Sequence, residues 1–271
     1  MTEDTHFSCT LCGNCCSNLK IPLTVAESVD WLRRGHAVQV VCDATPWPVE
    51  FPADDQRSAH RRRRSFAAVS GGMPIRVVVI LAARIDGACP NLLPDLRCGI
   101  YQRRPLVCRI YPAEINPFVV LEPRNKACPA EAWAAHHPLL QRTGAVVNET
   151  VRRDIQRSRD TDAADTVVKL RMCEALHVRD TALATEGYVV YSPDVAALLR
   201  ALSQAMEAGD AALGLAPDSG PWRFLSNQSA TVDSLVAAGA TAALGGGPGS
   251  SDGAAGLPRE YLGFKAATPV T

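Results

Sequence analysis

Cysteine residues carry the clearest chemical pattern in this 271-residue chain. Four of them open the sequence with two-residue spacing, as Cys9-x-x-Cys12-x-x-Cys15-Cys16. Two residues between cysteines let the chain turn back so that both sulfurs face one ion, which is why this spacing recurs in zinc and iron–sulfur sites. Gly13 suits such a tight turn, because glycine adopts positive φ without strain. The run therefore predicts a metal site with thiolate ligands.

Four further candidate ligands follow, at Cys89, Cys98, Cys108 and Cys128. The first and last of these precede a proline, as does the final cysteine of bacterial ferredoxin runs. Adjacent side chains diverge, so Cys15 and Cys16 suit two centres, or one polynuclear cluster, better than one small ion. Eight thiolates divided four and four would fit two zinc ions, or one iron–sulfur cluster and one zinc ion.

The compartment expected from the sequence supports metal ligation over disulfide bonding. The N-terminus is acidic and polar, unlike a signal peptide. The longest strongly apolar run, Val77–Ala83, is far shorter than the ~20 residues that span a bilayer. We therefore expect a cytoplasmic protein whose thiols stay reduced. A net charge of zero and a pI near 7.0 give no strong signal for a nucleic-acid partner.

A longer motif surrounds the later cysteines. The segment 89–112 reads CPNLLPDLRCGIYQRRPLVCRIYP. Together with the N-terminal run, it resembles the YkgJ-type cysteine-cluster proteins, which are described as candidate zinc or iron chelators. The resemblance covers residues 7 to about 130 and implies metal chelation. A similar cluster in the flagellin lysine N-methylases implies an alternative, an iron–sulfur enzyme that modifies protein lysines or transfers electrons or groups.

Charged and aromatic residues of the motif have two interpretations each. Four thiolates on a zinc ion leave about −2 net charge, which Arg97, Arg104 and Arg109 could offset from the second shell of the site. The same arginines could instead pair with ordinary carboxylates. Tyr101 and Tyr111 could donate to sulfur, although core packing is the more common role.

Secondary-structure signals place these residues on an α+β chain. A helix is predicted over Val25–Arg34, with Val29 and Leu32 buried and Gly35 in a left-handed conformation at its end. Residues 43–75 are rich in proline, arginine and glycine, so we interpret them as an irregular insertion or a long loop. The β-branched run Ile75–Ile85 predicts a buried strand that ends near Cys89.

The second half of the chain predicts helices. Apolar residues recur at helical spacing over 148–158 and 166–176, and Ser192-Pro193 is typical of a helix start. We expect a small cysteine-rich metal-binding domain at 1–135, an α-helical extension at 136–236 and a flexible alanine- and glycine-rich tail at 237–271. Cys42 and Cys173 lie outside the motif, and we expect them to be structural or free thiols.

Three functions are compatible with these features. The first is a protein that binds zinc or an iron–sulfur cluster through its eight motif cysteines. The second is the iron–sulfur enzyme described above, although no catalytic residue can be assigned. The third is an interaction module, folded by zinc, whose helical region binds a protein partner.

Overall fold

A computed structural model describes residues 4–208, 221–245 and 257–266 of the chain. The fold divides into two units: unit 1 comprises residues 1–24 and 83–162, and unit 2 comprises residues 25–82 and 163–271. All eight candidate ligand cysteines belong to unit 1, whereas Cys42 and Cys173 belong to unit 2.

Strands and helices are interspersed along the described residues. The strands are β1 (Thr5–His6), β2 (Ser17–Leu23), β3 (Val38–Pro46), β4 (Phe66–Ser70), β5 (Met73–Ala88), β6 (Leu139–Arg142), β7 (Ala145–Val146), β8 (Asp180–Leu183), β9 (Gly187–Tyr191), β10 (Arg223–Ser226), β11 (Ala242–Leu244) and β12 (Arg259–Gly263). The helices are α1 (Val25–Arg33), α2 (Gln56–Arg63), α3 (Leu106–Ile110), α4 (Glu149–Ala164), α5 (Thr166–Ala175), α6 (Val195–Glu207) and α7 (Ser229–Ala237).

One hydrophobic cluster forms the core of unit 1. Its buried members are Leu106, Ile110, Ala113, Leu121, Leu140 and Ile155. The cluster joins α3, β6 and α4, while β1, β6 and β7 form a small antiparallel sheet beside it. Because β6 and α4 supply core residues, unit 1 continues past residue 135, where the sequence suggested that the metal-binding domain ends.

A mixed sheet forms the centre of unit 2. Its strands follow the order β11-β10-β8-β3-β5, with β10 parallel to β8 and β11, and β3 parallel to β8. Strand β9 is antiparallel to both β3 and β12, and β4 is antiparallel to β5. Helix α6 packs against α1 and α5. Helices with mixed sheets confirm the predicted α+β class.

Two elements predicted from hydrophobic pattern are confirmed. Helix α1 buries Val29 and Leu32, which are 5% and 2% exposed, and the chain then turns at Gly35 with φ +80°. The predicted strand Ile75–Ile85 lies inside β5, and most of its side chains are buried.

The interpretation of residues 43–75 as an irregular insertion is wrong. This region contains the end of β3, helix α2, strand β4 and the start of β5. The Asp55 carboxylate caps α2 by accepting from the amides of Arg57 and Ser58 at 3.0 and 3.1 Å. Helix α2 buries none of its residues, so no apolar period marks it in the sequence.

The region after residue 135 contains strands in addition to the predicted helices. The predicted helices correspond to α4, α5 and α6, but Asp194 rather than Ser192 caps α6. Strands β6 to β10 lie between residues 136 and 236, and β11 and β12 lie between 237 and 271. Residues 246–256 and 267–271 of the expected tail lie outside the described residues. None of the described helices has the length and apolar character needed to cross a membrane.

Candidate metal centre

The N-terminal cysteine run folds into a tight turn. Gly13 adopts φ +73°, and the amide of Cys16 donates to the Gly13 carbonyl at 2.8 Å. A methyl group on Gly13 would lie 3.1 Å from the carbonyl oxygen of Leu96, so the turn also leaves little space there. Glycine therefore has both a conformational and a steric reason to occupy this position.

Strand pairing brings the first Cys-Pro pair to this turn. Cys16 directly precedes β2, Cys89 directly follows β5, and β2 and β5 are neighbours in the sheet. The amide of Cys89 donates to the Cys16 carbonyl at 2.7 Å. The chain then loops back, with Leu92 bridged to Cys98 and bonded to the Cys89 carbonyl at 2.9 Å. Cysteines 73 residues apart in sequence thus become neighbours.

Helix α3 carries Cys108 at its centre. Leu106 and Ile110 on the same short helix are buried in the unit 1 core and so hold it in place. Burial and the nearby charges of Cys15, Cys89 and Cys98 together raise the pKa of the Cys108 thiol to about 12, although the charge of Arg104 acts against them.

Cys128 is held near the N-terminal turn by two hydrogen bonds to the residue before it. The Ala127 amide donates to the Tyr111 hydroxyl at 3.0 Å, and the Asn14 amide group donates to the Ala127 carbonyl at 3.2 Å. Burial raises the pKa of the Cys128 thiol, a hydrogen bond with Tyr111 lowers it, and the charges of Cys15, Cys12 and Cys9 raise it again.

Adjacent Cys15 and Cys16 share a hydrogen bond. Donation from the Cys16 thiol lowers the pKa of Cys15 to about 6, with burial acting against it and Arg104 in favour of it. The same hydrogen bond raises the pKa of Cys16, as do burial and the charges of Cys15, Cys89 and Cys108. The shared hydrogen bond therefore favours one thiolate in this pair and opposes the formation of a second.

The residues that carry these thiols match a known sequence family. A family model described as "CxxCxxCC: putative zinc- or iron-chelating domain" matches residues 8–129. We call residues 8–129 the CxxCxxCC domain, after the family model that they match. No curated protein and no solved structure gave a match to the chain.

Three arginines of the CxxCxxCC domain have different partners. Arg104 lies with its guanidinium carbon 3.7 Å from the centre of the Tyr101 ring, and its charge lowers the pKa of both Cys15 and Cys108. Arg109 instead donates to the Asp154 carboxylate at 2.8 Å, and Arg97 pairs with Asp95. The charge of Arg104 thus favours ionisation of the thiols. Arg109 and Arg97 instead pair with ordinary carboxylates, the second interpretation of these motif arginines.

The donor set of the CxxCxxCC domain fits a thiophilic metal. Seven of its thiols are half-buried, Cys9 is exposed, and none forms a disulfide. Crowded thiols oppose one another's ionisation, and a bound cation would offset that repulsion. In the described part of the chain, no three histidine, cysteine or acidic side chains already form a coordination sphere for one ion.

Two contacts of the cysteines have little or no signal in the sequence. The Asn91 side-chain amide donates to the Cys89 sulfur at 3.9 Å, and only its position two residues after a Cys-Pro cysteine suggests such a role. In unit 2, the Cys42 and Cys173 thiols are completely buried and hydrogen-bonded to each other. Because one lies on β3 and the other on α5, their pairing has no signal in the sequence.

Proposed function

We propose that the CxxCxxCC domain binds metal through the thiolates of its eight motif cysteines. These residues are Cys9, Cys12, Cys15, Cys16, Cys89, Cys98, Cys108 and Cys128. One observation carries the proposal: thiols from separate chain segments lie close enough to alter one another's pKa values. Such crowding is costly for thiolates alone and favourable once a cation is bound.

Electrostatic neighbours suggest how the ligands divide. The thiols that act most strongly on Cys128 are Cys15, Cys12 and Cys9. Those that act on Cys108 are Cys15, Cys89 and Cys98, and Cys16 also senses Cys89 and Cys108. We therefore propose two adjoining groups, with Cys15 near both. This division suits two metal ions or one polynuclear cluster.

Residues around the thiols would support either metal. Arg104 offsets part of the negative charge of the thiolates, and the Asn91 amide donates to sulfur, as groups around metal-bound thiolates commonly do. Zinc would serve a structural, carrier or sensing role because it has no redox chemistry, whereas an iron–sulfur cluster would add electron transfer.

The deciding experiment is purification of the full chain without oxygen, followed by measurement of zinc, iron, acid-labile sulfide and the visible spectrum. Two serine variants divide the ligands: one replaces Cys9, Cys12 and Cys128, and the other replaces Cys16, Cys89, Cys98 and Cys108. The matched control is Cys173→Ala, which removes a buried thiol from unit 2.

We expect bound metal in the wild type and in Cys173→Ala. If there are two separate sites, each serine variant should lose part of the metal, and if there is one cluster, either variant should lose all of it. A brown protein with iron and sulfide would identify a cluster, and a colourless protein with zinc would identify zinc sites. Folded wild-type protein without either metal, which also fails to take up added zinc or ferrous iron, would refute the proposal.

A further inference from the structure

Unit 1 contains a cavity that the metal chemistry does not use. It has a volume of about 530 Å³ and lies among the 114–121 segment, the β6–β7 hairpin and helix α4. Pockets that hold small organic molecules have volumes of this order. One part of its wall is apolar and is formed by Val119, Leu121, Val146 and Ile155.

A side-chain amide of strand β6 lies at this cavity. Gln141 lies on β6, is only 3% exposed and lines the cavity. Within residues 4–208, 221–245 and 257–266, its side-chain amide makes no hydrogen bond, and its polar atoms are not fully enclosed by protein, so a molecule in the cavity can reach them. Buried amides are nearly always hydrogen-bonded, because leaving one unpaired costs free energy. A polar group of a ligand would satisfy it.

A guanidinium group is held at the same cavity. Arg159 is half-buried, and its Nε donates to the Ile115 carbonyl at 2.8 Å, which fixes the orientation of the group. Among the described residues, no carboxylate pairs with it. Burial lowers the pKa of Arg159, as expected for a cation that has lost water without gaining an anion.

Other charges of the cavity wall leave this cation uncompensated. Arg152 and Arg153 share the Glu149 carboxylate, at 2.6 and 4.0 Å. The Glu114 carboxylate pairs with Lys126. Each acidic group of the wall thus already has a cation, and the wall carries an excess of positive charge.

We propose that this cavity binds a small organic carboxylate. The Arg159 guanidinium and the Gln141 amide donate hydrogen bonds to the anion, and the apolar wall contacts its hydrocarbon part. A planar guanidinium matches the two oxygens of a carboxylate. One uncompensated guanidinium balances a single charge, which favours a carboxylate over a phosphate dianion.

Hexanoate is a suitable probe, with hexanamide as its neutral counterpart and hexyl phosphate as the alternative anion. Binding to the full-length, metal-loaded protein can be measured by NMR titration of the ligand. The variants are Arg159→Gln and Gln141→Leu. The matched control is Arg157→Gln, which changes an exposed arginine of α4 that does not line the cavity.

We expect saturable hexanoate binding with a dissociation constant of about 1 mM or lower, as a ligand of this size allows. Arg159→Gln should weaken binding about tenfold and Gln141→Leu about fivefold, while Arg157→Gln should change it less than twofold. Gln141→Leu removes an amide that has no hydrogen bond to the described residues, so the variant should stay folded. Weaker binding by this variant can therefore be attributed to the loss of the amide and not to unfolding.

Three results would overturn the proposal. The first is no saturable binding of hexanoate to the wild type. The second is equal binding of hexanamide, since the anion is then irrelevant. The third is binding of hexyl phosphate alone, which would mean that the site recognises a phosphate. Metal content is measured in every sample, so a failure of the metal proposal is detected separately.

Discussion

The ion pair between Arg109 and Asp154 offers a direct test of what this motif arginine does. Its sequence position suggests that Arg109 offsets thiolate charge, whereas the structure pairs it with Asp154 at 2.8 Å. The Asp154 side chain is 9% exposed and that of Arg109 is 35% exposed. The loss of Arg109 should therefore destabilise the protein more than the loss of Asp154. Without its partner, the Asp154 carboxylate stays buried, whereas the Arg109 guanidinium can be hydrated.

The expected magnitudes follow from this asymmetry. Breaking a buried ion pair costs about 3–5 kcal/mol and breaking an exposed pair about 0.2–1 kcal/mol. Arg109→Met leaves a buried carboxylate unpaired and should lower the free energy of unfolding of unit 1 by about 2–3 kcal/mol. Asp154→Asn keeps an oxygen that accepts from Arg109 and should cost about 1 kcal/mol. Neither change should alter metal content.

Hydrogen-exchange mass spectrometry of the full-length, metal-loaded protein is the appropriate assay, because peptides from unit 1 and unit 2 are measured separately. Arg152→Met is the matched control, since Arg152 and Glu149 form an exposed pair with side chains 66% and 60% exposed. It should cost less than about 0.5 kcal/mol.

A loss of metal in Arg109→Met, with unchanged exchange in unit 1, would contradict this reasoning and restore the role suggested by the sequence. A loss of stability no larger than that of Arg152→Met would show that the pair contributes little. A larger effect of Asp154→Asn than of Arg109→Met would also contradict the predicted asymmetry.

Two further predictions concern the thiols. Cys16, Cys108 and Cys128 have raised pKa values and hold protons at neutral pH, so metal must displace these protons, and binding should weaken as pH falls. Below about pH 6, Cys15 is also protonated, which weakens binding further. A pH indicator should record the release of at least three protons on metal binding at pH 7, one from each of these three thiols. An affinity that does not change between pH 6 and 8 would contradict this prediction. Gly13→Ala places a side chain at φ +73° and should weaken metal binding by about 1–2 kcal/mol. Competition with a chelator measures this loss of affinity. An unchanged affinity would mean that the turn is not part of the site.

Local sequence was sufficient for features that depend on short stretches of chain. The two-residue spacing of the first cysteines and the need for glycine at position 13 follow from backbone geometry alone, and the structure has the expected turn. Helix α1 and strand β5 were predictable because their apolar residues recur at a clear period or in an unbroken run. Helix α2 was not, because a short exposed helix leaves no such pattern.

The extent of unit 1 could not be predicted from the sequence either. Residue 135 marks a change in composition, but Leu140 and Ile155 complete the core around α3. Whether two apolar residues share a core depends on how the chain folds back, and their positions in sequence do not reveal this. The cavity that Gln141 and Arg159 line arises for the same reason, since neither residue belongs to a motif.

By itself, the sequence identified the candidate chemistry of this protein, because it places eight cysteines in a motif whose spacing suits thiolate ligation of zinc or iron. The tertiary structure decided which of these thiols meet, because the pairing of β2 with β5 brings Cys16 to Cys89. It also decided that Arg104 faces the thiols while Arg109 faces Asp154. Residue types and local spacing limit which ligands are possible, but contacts between distant residues depend on strand pairing and core packing, which the folded chain alone specifies.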